Sequence, residues 1–65
     1  MPEPLYDFDE VVIALTAVTS EEAVKKVLTD HKVPDYDQYL VAATAAELAV
    51  GNSKKVLNEF LATLL

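Results

Sequence analysis

Tyr36 to Val50 reads YDQYLVAATAAELAV, a stretch apolar on nearly every side, with Asp37 near its start and Glu47 near its end as its only charges. A helix that lacks a polar face belongs in a core, so these residues predict a central helix covered by its neighbours from several directions. Ala42, Ala43, Ala45, Ala46 and Ala49 keep it thin enough for close approach, and alanine has the highest helix propensity because it loses no side-chain entropy. Gly51, just past the last apolar residue, is placed to adopt the left-handed conformation that closes a helix C-terminus.

Working outward, three more amphipathic segments appear. Asp7 and Glu10 have the three-residue spacing of a capping box, and Phe8, Val11, Val12, Leu15 and Val18 recur at helical spacing, so the first helix is expected over residues 8–18. Thr19 or Ser20 caps a second, over 20–31, with Val24, Val27 and Leu28 inward. His31 and Lys32 suit its negative C-terminal end, and Val33-Pro34 stops it, because the residue before proline avoids the α region. Asp35 and Gln38 form a further capping box that opens the central helix at 36–50, and Ser53 caps a fourth over 53–64. In the fourth, Val56, Leu57, Phe60, Leu61 and Leu64 form a wide apolar face. Pro2 and Pro4 mark residues 1–6 as an extended leader.

The two halves resemble each other. DFDEVVIALTAV, starting at Asp7, aligns with DYDQYLVAATAA, starting at Asp35, and KKVL at Lys25–Leu28 recurs at Lys54–Leu57. A repeat of this length implies two αα-hairpins, each unable to bury its apolar face alone and therefore stacked on the other. The expected fold is all-α, a compact four-helix domain of two similar hairpins spanning residues 1–65. A chain of 65 residues builds only a marginal core, and with no cysteine for disulfides or zinc its remaining supports are regular packing and self-association.

Eleven acidic residues against five lysines, and no arginine, give a net charge of −6. Such a field repels phosphate and attracts basic partners. In an up-and-down arrangement the starts of the first and third helices meet the ends of the second and fourth, which gathers acids at one pole. Asp9, Glu10, Asp37 and Glu59 are the candidate partner-binding residues there. Asp7 and Asp35 are accounted for as caps, and the hydroxyls of Tyr6 and Tyr36 are placed at the same pole. Ile13, Val41, Ala45 and Leu48 lie beyond the inner stripes and are the candidate self-association residues, Ile13 and Val41 being equivalent in the repeat. Tyr36 and Tyr39, with Phe8 and Phe60, match core spacing better than a ligand platform.

Little else carries chemistry. The Asp-x-Asp pairs lack the further ligand positions and the glycine of a calcium loop, so no metal or cofactor is expected. His31, the one histidine, fits a helix C-terminus, where it hydrogen-bonds terminal carbonyls. Without a paired nucleophile it does not make an enzyme. The N-terminal MPEPLYDFDE has neither the basic nor the apolar region of a signal peptide, and no apolar run approaches a membrane span of about 20 residues. A cytoplasmic location is expected.

TAAELAVGNSKKVLNEFL, residues 44–61, resembles the DNA-binding helix-turn-helix, with a small-residue helix, a glycine turn and a second helix led by Ser-Lys-Lys. The resemblance implies a transcriptional regulator, but Gly51 follows Ala49 by two positions, closer than in that motif, and a DNA reader without arginine departs from its class. The reading the residues favour is a small acidic protein–protein interaction module, a regulator, adaptor or inhibitor acting as a homodimer on a partner with a basic surface, with nucleic acid the alternative.

Overall fold

A computed structural model describes residues 6–65 and contains four helices, α1 (Phe8–Leu15), α2 (Glu21–Asp30), α3 (Asp35–Leu48) and α4 (Asn52–Leu64), with no strand among the described residues. The expected leader lies outside those residues except for Tyr6, which packs half-buried against the core.

Helices α1 and α2 form one hairpin and α3 and α4 the other, and equivalent helices are neighbours across the stack, α1 beside α3 and α2 beside α4. Side-chain bonds fix the directions. Lys54 at the start of α4 reaches the carbonyl of Ala46 near the end of α3 at 2.7 Å, so this pair is antiparallel. The Ser53 hydroxyl donates to Val18 O at 2.8 Å, joining the start of α4 to the turn after α1. Tyr6 before α1 meets Asp37 in the first turn of α3, so α1 and α3 run the same way. This is the stacking of two hairpins that the repeat implies.

The helix ends follow local chemistry, in part not the chemistry expected. Asp7 caps α1 by accepting from the Glu10 amide at 3.2 Å, and Ser20, not Thr19, caps α2 through the Ala23 amide at 3.1 Å. Helix α1 stops at Leu15 rather than Val18. Beyond it the amides of Ala17 and Val18 bond three residues back, to Ala14 and Leu15, while the Thr16 hydroxyl binds Ile13 O at 2.6 Å. A hydroxyl that competes for a carbonyl, followed by β-branched residues, tightens the chain out of the α conformation. Val18 is nonetheless buried.

Two further caps depart from expectation. Asp35 is the first residue of α3 behind Pro34, and its carboxylate accepts from the Gln38 side chain at 3.3 Å instead of from a backbone amide. Ser53 lies inside α4, which begins after Gly51, and its hydroxyl is spent on Val18. Gly51 has φ 65 and ψ −135, a positive-φ region open essentially to glycine alone but not the left-handed helical well. It redirects the chain between α3 and α4.

Helix α2 ends in a Schellman motif. Lys32 takes φ 58, its amide bonds Thr29 O at 3.0 Å, and the Val33 amide bonds Leu28 O at 2.9 Å. Val33 is buried with Leu28, the apolar contact that accompanies this closure.

Among the described residues the core holds fifteen, of which seven are valine and four alanine, with Leu15, Leu28, Leu57 and Phe60 as its larger members. Small side chains let the helices approach closely, so the few large ones set the spacing. No polar side chain is buried among the described residues.

Helix α3 is not covered all round. Val41, Ala42, Ala45, Ala46 and Ala49 are buried, whereas Tyr36, Tyr39, Leu40 and Leu48 are exposed. Stacked hairpins give α3 two close neighbours, α1 and α4, and its alanine side is the one thin enough to take both. This corrects the expectation of a fully enclosed helix and of core positions for Tyr36 and Tyr39. Of the aromatic set, Phe60 is buried and Phe8 partly so.

Candidate functional site

One end of the molecule is assembled from the start of α1, the end of α2 and the start of α3. Two side-chain contacts tie them together. The Tyr6 hydroxyl donates to Asp37 Oδ2 at 2.9 Å, and His31 Nε2 lies 3.7 Å from Glu10 Oε1. His31 also places Nδ1 2.9 Å from the carbonyl of Val27, the expected use of a side chain at a helix C-terminus. Asp7, Asp9 and Glu10 stand at the N-terminus of α1, and Asp35 and Asp37 in the first turn of α3. The positive ends of both helix dipoles face these carboxylates, so two helix N-termini at one end collect acids for a local reason.

The four predicted partner-binding residues do not share one environment. Asp9 is exposed, with no partner among the described residues. Glu10 is exposed and contacts His31, an arrangement that contributes under about 1 kcal/mol on an accessible surface. Asp37 is half-buried and holds Tyr6, so it contributes to folding. Burial raises the Tyr6 hydroxyl above the ordinary tyrosine range, and the hydrogen bond to Asp37 and the charge of that carboxylate add to the effect.

Glu59 is not at this end. It is the eighth residue of α4, about 10 Å along the axis from the first turn at 1.5 Å per residue. There it lines a shallow, open groove on the outer face with Gly51, Lys54, Lys55, Asn58 and Ala62. Helix α4 starts at the end opposite the acidic one and runs back towards it, and its length leaves Glu59 midway.

The candidate self-association residues also divide. Ile13 and Leu48 are exposed, but Val41 and Ala45 are fully buried in the chain's own core and present no surface to another molecule. The repeat equivalence of Ile13 and Val41 fails because α3 turns a different side inward from the one α1 uses. What sequence reasoning missed is the outer side of α3, where Tyr36, Tyr39, Leu40 and Leu48 lie together at helical spacing. The signal was the alanine arc itself. If Ala42, Ala45, Ala46 and Ala49 form the close-packed side, the large residues of α3 must point the other way.

Among the described residues no group of three or more His, Cys, Asp or Glu side chains is placed to hold a metal ion. No described helix is long and apolar enough to cross a membrane. No known protein family, curated protein or solved structure matches this chain.

Proposed function

We propose that this chain is a small acidic protein-interaction module, a cytoplasmic regulator, adaptor or inhibitor that works as a homodimer and binds a partner with a basic surface, without catalytic chemistry of its own. The observation that carries the reading is the convergence of Asp7, Asp9, Glu10, Asp35 and Asp37 at one end, where the neighbouring basic residues are His31 and Lys32. Carboxylates fixed at a rigid end of the molecule steer a cationic surface towards it and speed association.

The helix-turn-helix alternative has weaker support. The Lys54 ammonium is held by Ala46 O, and Glu59 lines the same outer groove as Lys54 and Lys55, so a carboxylate accompanies the lysines that would meet phosphate.

The test compares wild type with a variant carrying Asp9→Asn and Asp37→Asn, where asparagine still accepts the Tyr6 hydroxyl. Partner capture from the native host should be salt-sensitive, and the double variant should associate about 10-fold more slowly. Retained capture by this variant, with loss on changing Lys54 and Lys55 to glutamine and salt-sensitive binding to DNA, would favour the helix-turn-helix reading instead.

A further inference from the structure

The outer side of α3 carries exposed large apolar residues that neither the fold nor the acidic end explains. Tyr36 is 81% exposed, Leu48 65%, Leu40 57% and Tyr39 46%. With full side-chain areas of about 200 Å² for tyrosine and about 130 Å² for leucine, these four expose roughly 400 Å², within the range of the largest apolar patch on an ordinary monomer. Two copies fully covered would bury about 800 Å², the small size of a weak or transient interface.

We infer that this side of α3, and not the set containing Val41 and Ala45, is where a second copy of the chain docks. The inference rests on the homodimer in the proposed function and names its surface. Three observations select a second copy. First, Glu47 is the one charge between Tyr39 and Leu48, in a chain with eleven acids, Asp37 on the same side being half-buried and held by Tyr6, and depletion of charge marks the centre of an interface. A basic partner finds its complement at the acidic end and nothing to pair with here beyond Glu47. Second, two of the three tyrosines lie on the arc, and aromatic residues are enriched at such centres.

Third, the arc is self-complementary. Large residues stand at both ends, Tyr36 and Leu40 before and Leu48 after, with Ala43 and Thr44 between them. The Thr44 hydroxyl is already bonded to Leu40 O at 2.8 Å, so it is satisfied without water. An antiparallel pairing with its two-fold axis beside Thr44 sets Leu40 of one copy against Leu48 of the other, twice over, while the small residues at the axis allow the backbones to approach. The two Glu47 carboxylates then lie about 10 Å apart along the helices, near a Debye length, where their repulsion is weak.

Sedimentation equilibrium of wild type, Leu40→Glu and Glu47→Leu tests this, with circular dichroism to confirm that each is folded. The wild type should dimerise in the range of about 1–100 μM. Leu40→Glu should weaken the dimer at least about 30-fold, and Glu47→Leu should tighten it. A wild type that stays monomeric to about 500 μM overturns both the surface and the homodimer. If it then captures a host protein that Leu40→Glu does not, the occupant is a different protein. A wild-type dimer that Leu40→Glu leaves intact overturns the surface alone. Should Leu40→Glu not fold, a short bismaleimide linking Ala43→Cys to its copy decides the case, because the chain has no other cysteine. Efficient linking there and not at Asn58→Cys on α4 is expected, and equal linking at both refutes the assignment.

Discussion

Among the described residues two hold positive φ, and replacing them should shift stability in opposite directions. Gly51 sits at φ 65, ψ −135, and a Cβ built on it meets nothing within 4 Å. Gly51→Ala therefore tests backbone strain without a packing term. The strain costs about 1–3 kcal/mol, and the lower entropy of the unfolded alanine chain returns about 0.4–1 kcal/mol. The net loss is about 1–2 kcal/mol. Lys32, at φ 58, is exposed and non-glycine. Its left-handed conformation costs about 1–2 kcal/mol, which Lys32→Gly removes at an entropic cost of about 0.5–1 kcal/mol, for a net gain of about 0.5–1 kcal/mol. The two sites lie at opposite ends of the molecule, so the double variant should equal the sum of the singles within about 0.5 kcal/mol. Urea unfolding followed by circular dichroism measures all four proteins, with a common slope showing that only stability has changed. Gly51→Ala as stable as wild type, or Lys32→Gly less stable, would refute the backbone account of these two turns.

Ala46→Leu should destabilise by about 1–3 kcal/mol through overpacking a closed core position, whereas Ala17→Leu, on the exposed end of the α1 turn, should stay within about 0.5 kcal/mol. Equal melting temperatures would refute the placement of the alanine side of α3. Tyr6→Phe should lose about 1 kcal/mol at neutral pH with the bond to Asp37. Because the folded state holds the Tyr6 proton more tightly than the unfolded state does, this residue's contribution is complete below the ordinary tyrosine range. It is lost as pH rises from about 10 through the raised folded value. The stability gap between wild type and Tyr6→Phe should therefore narrow in alkali, and a gap that widens there would contradict the raised hydroxyl.

Four helices, their order and their pairing into hairpins were legible because each leaves a periodic apolar stripe and a punctuating residue in the sequence. Asp7 and Ser20 acted as the caps their positions announced. Ends that depend on competition were not legible. Thr16 captures a carbonyl that would have continued α1, and Ser53 finds Val18 thirty-five positions away instead of capping its own helix. The acidic end was readable from helix direction alone. Which of its carboxylates stay uncommitted was not, because Asp37 is claimed by Tyr6 and Glu59 falls halfway along α4. Burial of Val41 and exposure of Leu40, one position apart, turned on the rotation of a helix that is apolar on both sides. Hydrophobic periodicity cannot fix the rotation of such a helix, since both orientations bury similar residues.

That ambiguity in α3 bears on how the molecule ends. In stacked hairpins each unit covers the face of the one before it, and the outermost unit needs a polar face in place of the missing neighbour. Helix α4 has such a face, with Lys54, Lys55, Asn58 and Glu59 exposed along it. Helix α1 nearly has one, its exposed Asp9 and Glu10 interrupted by Ile13. Helix α3 has none. Its exposed arc carries Tyr36, Tyr39, Leu40 and Leu48 beside Glu47, and differs from the buried one chiefly in the size of its apolar residues, alanine inside and tyrosine or leucine outside. A helix whose only function was to complete this core would tolerate lysine or glutamate at positions 36, 40 and 48 at little cost to folding, and would gain solubility from them. Large apolar residues at all three give α3 a second packing surface, the one we infer a second copy of the chain covers.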